Sequence, residues 1–225
     1  MQAIILDFDG LILDTETPEF RVWTETFHEH GVELPAGYWS SVIGRGAEQE
    51  IERPAELLTR LTRGAYVDSP EKHEARRVKI RELIHQEAPR PGIINLLLES
   101  KDQGVPLAIA SSSPHAWVDR LLKDLGLIGS FDHIVCADDV HRAKPFPDLY
   151  QLACALLGCL VDEAVALEDS PNGIAAAKAA GLYVFAVPNS VTCHLDLSMA
   201  DQILDTLEGV GVEDLFRFRS SVVPI

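Results

Sequence analysis

The sequence predicts an α/β fold, a doubly wound parallel sheet with a small helical domain inserted after its first strand. Three observations carry this. Short apolar runs recur without the alternation of a sheet that has one wet face. Segments with a single apolar helical face lie between the later runs. Residues 15–88 contain no comparable run at all.

The first strand is Ala3-Ile4-Ile5-Leu6, apolar on both faces, and it stops at Asp7-Phe8-Asp9-Gly10. Residues 15–88 then read as helical: Phe20, Trp23 and Phe27 recur at helical spacing, and residues 71–87 are charged and helix-rich. Phe20, Trp23 and Phe27 are read as packing within that insert. Pro89, Pro91 and Gly92 punctuate the return. Further strands are expected at 106–110, 133–136, 164–167 and 182–187, with a short edge strand at 202–204. Between them, Val118, Leu121, Leu122 and Leu125 share one helical face, as do Leu149, Leu152, Ala153, Leu156 and Leu157. Ser113-Pro114 and Ser170-Pro171 read as a capping serine followed by proline at the first helical position, and Gly104, Gly126 and Gly181 as helix ends. The domain division is therefore 1–14 and 89–225 for the core, and 15–88 for the insert.

Composition narrows the function. With 47% hydrophobic and 24% charged residues among 225, the chain can bury a sizeable core and keep a charged surface. No apolar run reaches the length of a membrane span, and Asp7 and Asp9 interrupt the N-terminal run, so no signal peptide is read there. The expected location is cytoplasmic. A net charge of -16 argues against nucleic acid and anionic membranes as partners. Cys136, Cys154, Cys159 and Cys193 form no CxxC pair and are read as reduced thiols. The eight histidines form no ligand pattern.

Chemistry-bearing residues follow four of the predicted strands. Asp7 and Asp9 follow the first, Ser111 the second, Lys144 lies in the loop after the third, and Glu168-Asp169 follow the fourth. In a doubly wound sheet these strand ends line one crevice. Four carboxylates there would repel one another unless a cation sat among them. Oxygen donors without His or Cys favour a hard ion, Mg²⁺ first. Such an ion, with Lys144 and the Ser111 hydroxyl, would form a pocket for a dianionic phosphoryl group on a small-molecule ester. One of the paired aspartates can attack phosphorus while the other handles the leaving oxygen's proton. Gly10 permits the tight turn that follows.

Asp7-Phe8-Asp9-Gly10-Leu11-Ile12-Leu13-Asp14-Thr15-Glu16 resembles the first motif of the haloacid-dehalogenase superfamily, in its β-phosphoglucomutase and sugar-phosphate phosphatase branch. Ile109-Ala110-Ser111-Ser112-Ser113, Lys144-Pro145-Phe146-Pro147-Asp148 and Leu167-Glu168-Asp169-Ser170-Pro171-Asn172-Gly173 resemble its second, third and fourth motifs. The resemblance implies a Rossmann-like core with a helical cap, and a Mg²⁺-dependent hydrolase working through an aspartyl-phosphate. It makes Asp7 the nucleophile and Asp9 the acid and base. Lys144 screens charge, and Ser111, Ser112 and Gly10 contact the phosphoryl group. The metal falls to Asp7, Asp9 through its backbone carbonyl, Glu168 and Asp169.

Arg45, between Gly44 and Gly46, is a candidate to grip an anionic substrate from the cap, and Glu16 is a further candidate beside the crevice. Phosphomutases of the branch typically carry a histidine five residues after the aspartate of an Asp-Thr pair. Here Asp14-Thr15 leads to Glu19, which favours hydrolysis over phosphoryl return to a sugar. Dehalogenation would leave Asp9 idle. A phospho-acceptor signalling domain would take its aspartate from a later strand, and a non-catalytic binding protein should have lost one of the acidic or basic residues. The substrate is read as a small phosphate ester and the chain, by default, as a monomer.

Overall fold

The computed structural model describes residues 2–44 and 52–220. Its described strands are β1 (Ala3–Leu6), β2 (Leu107–Ala110), β3 (His133–Val135), β4 (Ala164–Glu168), β5 (Tyr183–Ala186) and β6 (Gln202–Ile203). They form one sheet in the order β3-β2-β1-β4-β5-β6, with every neighbouring pair parallel. The connections run outwards from β1 to β3, then return to the other side of β1 at β4. That reversal is a topological switch point, where the strands' carboxyl ends open a crevice.

Alternation along each strand divides the core. Ile4, Leu6, Leu107, Ile109, Val165 and Leu167 face one side. There they meet α5 (Ile93–Gln103), α6 (His115–Asp124) and α9 (Val212–Ser220) through Leu96, Val118, Leu122 and Leu215. Ala3, Ile5, Ala108, Ala110, Ala164, Ala166 and Ala186 face the other. That alanine-rich surface lets α7 (Asp148–Leu157) and α8 (Pro171–Ala180) pack closely on the sheet.

Between β1 and α5 lie α1 (Glu16–Glu29), α2 (Ala36–Val42), α3 (Pro54–Leu61) and α4 (Pro70–Ile84). They gather a core of their own from Trp23, Phe27, Trp39, Ile43, Leu57, Leu58 and Tyr66, with Phe20 packed against it. Arg76 of α4 is buried, lies over the Trp23 ring, and bonds the Tyr66 hydroxyl and Asp68. Leu13 bridges Pro89 in antiparallel fashion and the Arg90 N–H donates to the Ile12 carbonyl. The chain thus leaves and rejoins the sheet at adjacent points.

The Ser170 hydroxyl caps α8 by accepting from the Gly173 N–H, as expected. Ser113 does not cap α6. The N-cap there is Pro114, and the Ser113 hydroxyl is drawn away to a nearby carboxylate. The four cysteines are free thiols, three of them buried. No helix among the described residues is long and apolar enough to cross a membrane.

Candidate active site

Asp7 directly follows β1, Glu168 ends β4, and Asp169 follows it, so β1–β4 pairing brings their carboxylates together. One oxygen from each lies within 4.8 Å of the others, and all three residues are buried. Lys144, only 1% exposed, reaches in from the loop before α7. Its Nζ donates to Asp7 Oδ1 at 2.5 Å and to Glu168 Oε1 at 2.6 Å. The Tyr150 hydroxyl of α7 also donates to Glu168 Oε1, and the Lys144 ammonium lies 5.4 Å from the Tyr150 ring centre.

Lys144 thus binds two of the three buried carboxylates, Asp7 and Glu168, while the Arg90 guanidinium acts on the third, Asp169, through its charge. Burial, against the pull of Lys144, pushes the Asp7 carboxyl up to about 8, with Glu168 adding to the rise. Asp169 is raised well above the carboxylate range, first by burial and then by Asp7 and Glu168. Burial works against the Lys144 ammonium too, but Asp7 and Glu168 outweigh it and hold the proton more firmly than usual. Oxygen donors with surplus negative charge fit a hard divalent cation, and Mg²⁺ meets that requirement.

A pH dependence follows. In the unfolded chain Asp7 releases its proton near 3.8; in the folded, metal-free protein it keeps it to about 8. The folded state therefore binds more protons across that interval, and its stability falls as pH rises through it. Metal-free protein is expected to melt at lower temperature at about pH 8 than at about pH 5, with Mg²⁺ raising the melting temperature more at the higher pH. Equal Mg²⁺ stabilisation at both values, by calorimetry, would count against the cluster as the metal site.

The turn after β1 is shaped around Asp169. Gly10 has φ +80°, and a Cβ there would lie 2.3 Å from Asp169 Oδ2. Its carbonyl accepts from Arg90 Nη1 at 2.6 Å and from Asn189 Nδ2 at 3.3 Å. Asn189 Nδ2 also donates to Asp169 Oδ2 at 2.7 Å, while its Oδ1 accepts from the Val191 and Thr192 N–H groups. A buried asparagine fixed by the backbone thus aims one acid of the cluster. Asn189→Ala is expected to weaken Mg²⁺ binding about 10-fold, by analogy with lost supports of metal ligands. Unchanged affinity by titration calorimetry would refute the positioning.

Asp9 lies apart from the three acids. Its Oδ1 accepts from Thr15 Oγ1 at 2.9 Å and Trp117 Nε1 at 2.8 Å. Its Oδ2 accepts from Ser113 Oγ at 2.6 Å and from Ser111 Oγ at 3.4 Å. Ser111 itself is fully buried, its oxygen also accepting from the Ser113 N–H. A cavity of about 360 Å³ opens above these groups. Asp7, Asp9, Ser112 and Lys144 line its core side, and Glu16, Glu19 and Trp39 the side of α1 and α2.

The wall of α2 is pinned to the core at two points. Asn172 Nδ2 donates to the Ile43 carbonyl at 2.7 Å, and Ser112 Oγ to the Gly44 carbonyl at 3.4 Å. Gly44, at φ +71°, leaves no room for a Cβ beside Ser170.

The sequence matches the haloacid dehalogenase-like hydrolase family over residues 1–181 of 225. The chain belongs to that family. YhcW of Bacillus subtilis, whose name carries only a provisional phosphatase assignment, is 42% identical over 207 residues, spanning 92% of each chain. Validoxylamine A 7'-phosphate phosphatase of Streptomyces hygroscopicus subsp. limoneus is 28% identical, over 93% of this chain and 95% of its own. The crystal structure of CbbY from Rhodobacter sphaeroides with phosphate superposes at a TM-score of 0.72 with 32% identity, covering 96% of this chain and 99% of that one.

In this haloacid dehalogenase-like chain, Asp7, Lys144, Glu168 and Asp169 converge, and Asp9, Ser111 and Ser112 lie around the same crevice. Gly10 sits beneath Asp169 and is absent from the cavity wall. Arg45 lies outside the described residues. Glu16 does reach the cavity. Sequence reading missed Thr15, Ser113 and Trp117 as partners of Asp9, Tyr150 as a partner of Glu168, and Asn189 and Arg90 beneath the first turn. Asn189 follows β5, so the strand-end rule that located the other groups extends to it.

Proposed function

We propose that the chain is a Mg²⁺-dependent phosphatase that hydrolyses a small phosphate ester, a sugar phosphate or similar metabolite, through a phosphorylated Asp7. The observation that carries the reading is the meeting of Asp7 and Lys144, which line a cavity large enough for a small metabolite, with Glu168 and Asp169 behind them. Names of relatives that include phosphatases support the same reaction class.

Asp7, Asp169 and the Asp9 backbone carbonyl would hold the ion. Glu168, already engaged by Lys144 and Tyr150, would act directly or through water. Bound Mg²⁺ would neutralise charge on the phosphoryl oxygens. An Asp7 carboxylate oxygen bonds to phosphorus as the ester's leaving oxygen departs, and Asp9 gives that oxygen its proton. Water then attacks phosphorus, Asp9 takes the water's proton, and inorganic phosphate leaves with Asp7 restored. Lys144 holds Asp7 Oδ1 throughout, and Ser111, Ser112 and Gly10 are assigned to the phosphoryl group's surroundings. Residues 15–88 act as the cap over a core of 1–14 and 89–225, and Arg45 is assigned to substrate binding from that cap. We place the chain in the cytoplasm, as a monomer.

Phosphomutase relatives are similar over much of the chain; β-phosphoglucomutase of Bacillus subtilis is 30% identical over 193 residues. Glu19, facing the cavity where those mutases typically have histidine, favours hydrolysis. Release of inorganic phosphate from p-nitrophenyl phosphate, present with Mg²⁺ and abolished by a chelator, is the expected result. No release under either condition would reject the reading.

A further inference from the structure

Asp9 is held from two sides. Among the described residues, four side-chain donors meet its carboxylate, and three of them, Ser111, Ser113 and Trp117, belong to one stretch of the core. Thr15 supplies the fourth, where the chain enters the helical insert. The core stretch is firmly anchored. The Ser113 carbonyl accepts from the Ala137 N–H at 3.1 Å, and the His115 N–H donates to Asp138 Oδ2 at 3.0 Å. Val118, Leu121 and Leu122 then seat α6 in the core.

Ser113 and Trp117 differ in what they can do for the carboxylate. An indole N–H only donates, so Trp117, at 2.8 Å from Oδ1, keeps that oxygen an acceptor. A hydroxyl donates or accepts. Ser113, at 2.6 Å from Oδ2, can therefore stay bonded whether or not Oδ2 carries a proton. Oδ2 is thus the oxygen free to exchange a proton. Asp9, Ser113 and Trp117 all line the same cavity.

We propose that Trp117 and Ser113 are positioning residues for proton transfer, fixing the Asp9 carboxylate so that Oδ2 serves the ester's leaving oxygen. This rests on the phosphatase reading above. As an Asp7 oxygen bonds to phosphorus, the bond from phosphorus to the leaving oxygen breaks and its electron pair stays on that oxygen. The Asp9 Oδ2–H bond breaks in turn, and its proton passes to the same oxygen, leaving Asp9 a carboxylate.

The test compares two aromatic esters with opposite demands for that proton. p-Nitrophenyl phosphate releases a phenolate that is stable unprotonated, whereas benzyl phosphate must release an alcohol. With the full chain and Mg²⁺, kcat/KM reports events only as far as phosphoryl transfer to Asp7, so the later hydrolysis does not enter it. Trp117→Phe keeps an aromatic ring and loses the N–H. In it, kcat/KM for benzyl phosphate is expected to fall about 10–100-fold further than for p-nitrophenyl phosphate. Ser113→Ala should shift the ratio in the same direction, and if either variant lacks a normal melting transition the other decides. Equal losses for both esters, or a ratio unmoved in both variants, would overturn the inference; a ratio unmoved in one removes that residue from the role. If the wild type does not cleave p-nitrophenyl phosphate, the phosphatase reading itself fails. If it cleaves that ester and not benzyl phosphate, no proton reaches a poor leaving group, and the positioning inference falls alone.

Discussion

Asp7→Asn is expected to lower phosphate release by at least about 10⁴-fold, because the amide cannot form the phosphorylated intermediate. The same substitution should leave the metal-free protein at least as stable as the wild type. Asparagine keeps the shape and an oxygen that can accept from Lys144, while one of three crowded carboxylates is removed. Its stability should also depend less on pH between about 4 and about 8, since Asp7 no longer retains a proton there. Loss of turnover with an intact melting transition separates a chemical role from a structural one. Near wild-type phosphate release in this variant would eliminate Asp7 as the nucleophile.

Lys144→Met should have the second largest effect, and on both properties. The ammonium is buried between Asp7 and Glu168, so its removal leaves two desolvated carboxylates uncompensated. Breaking a buried pair from one side costs about 3–5 kcal/mol. Turnover should fall by about 10²–10³-fold, as when a single preorganised charge-stabilising group is lost. Adding Glu168→Gln to Lys144→Met removes one of the stranded charges, and should recover stability without recovering activity. Denaturant unfolding and phosphate release, measured on both proteins, read the two effects apart. Full stability in Lys144→Met would contradict the buried ion cluster.

What could be read from residue order, and what could not, follows from the physics of each signal. Ala3-Ile4-Ile5-Leu6 and its later counterparts are strands buried on both faces, and such runs need no tertiary information to be recognised. Because parallel strands deliver their ends to one crevice, Asp7, Lys144 and Glu168-Asp169 could be grouped despite the residues between them. Ser113 was misjudged for a local reason. A serine before proline has a strong capping pattern, and only the fold reveals the Asp9 carboxylate that takes its hydroxyl. Trp117 escaped notice because its indole N–H lies one helical turn beyond Ser113 on a helix whose other marked residues are core. Tyr150 was hidden likewise, on the α7 face that packs against the sheet. Asn189 stood at the end of a fifth strand, where the same topological rule pointed but no acidic or basic side chain drew attention. Glu16 was legible beside the crevice because it closes the first motif, and Glu19 because it stands five residues after Asp14; that both line the cavity follows from how α1 sits over the sheet.

The placement of β1 bears on how the polypeptide acquires its structure during synthesis. Ile4 is paired with Leu107 on one side and Val165 on the other, so the earliest strand made has no neighbour until far more of the chain exists. Contacts so distant in sequence slow folding, because loop closure precedes the reward from pairing. A nascent chain released before β4 would expose one whole edge of an uncharged strand, the kind of surface on which chains associate.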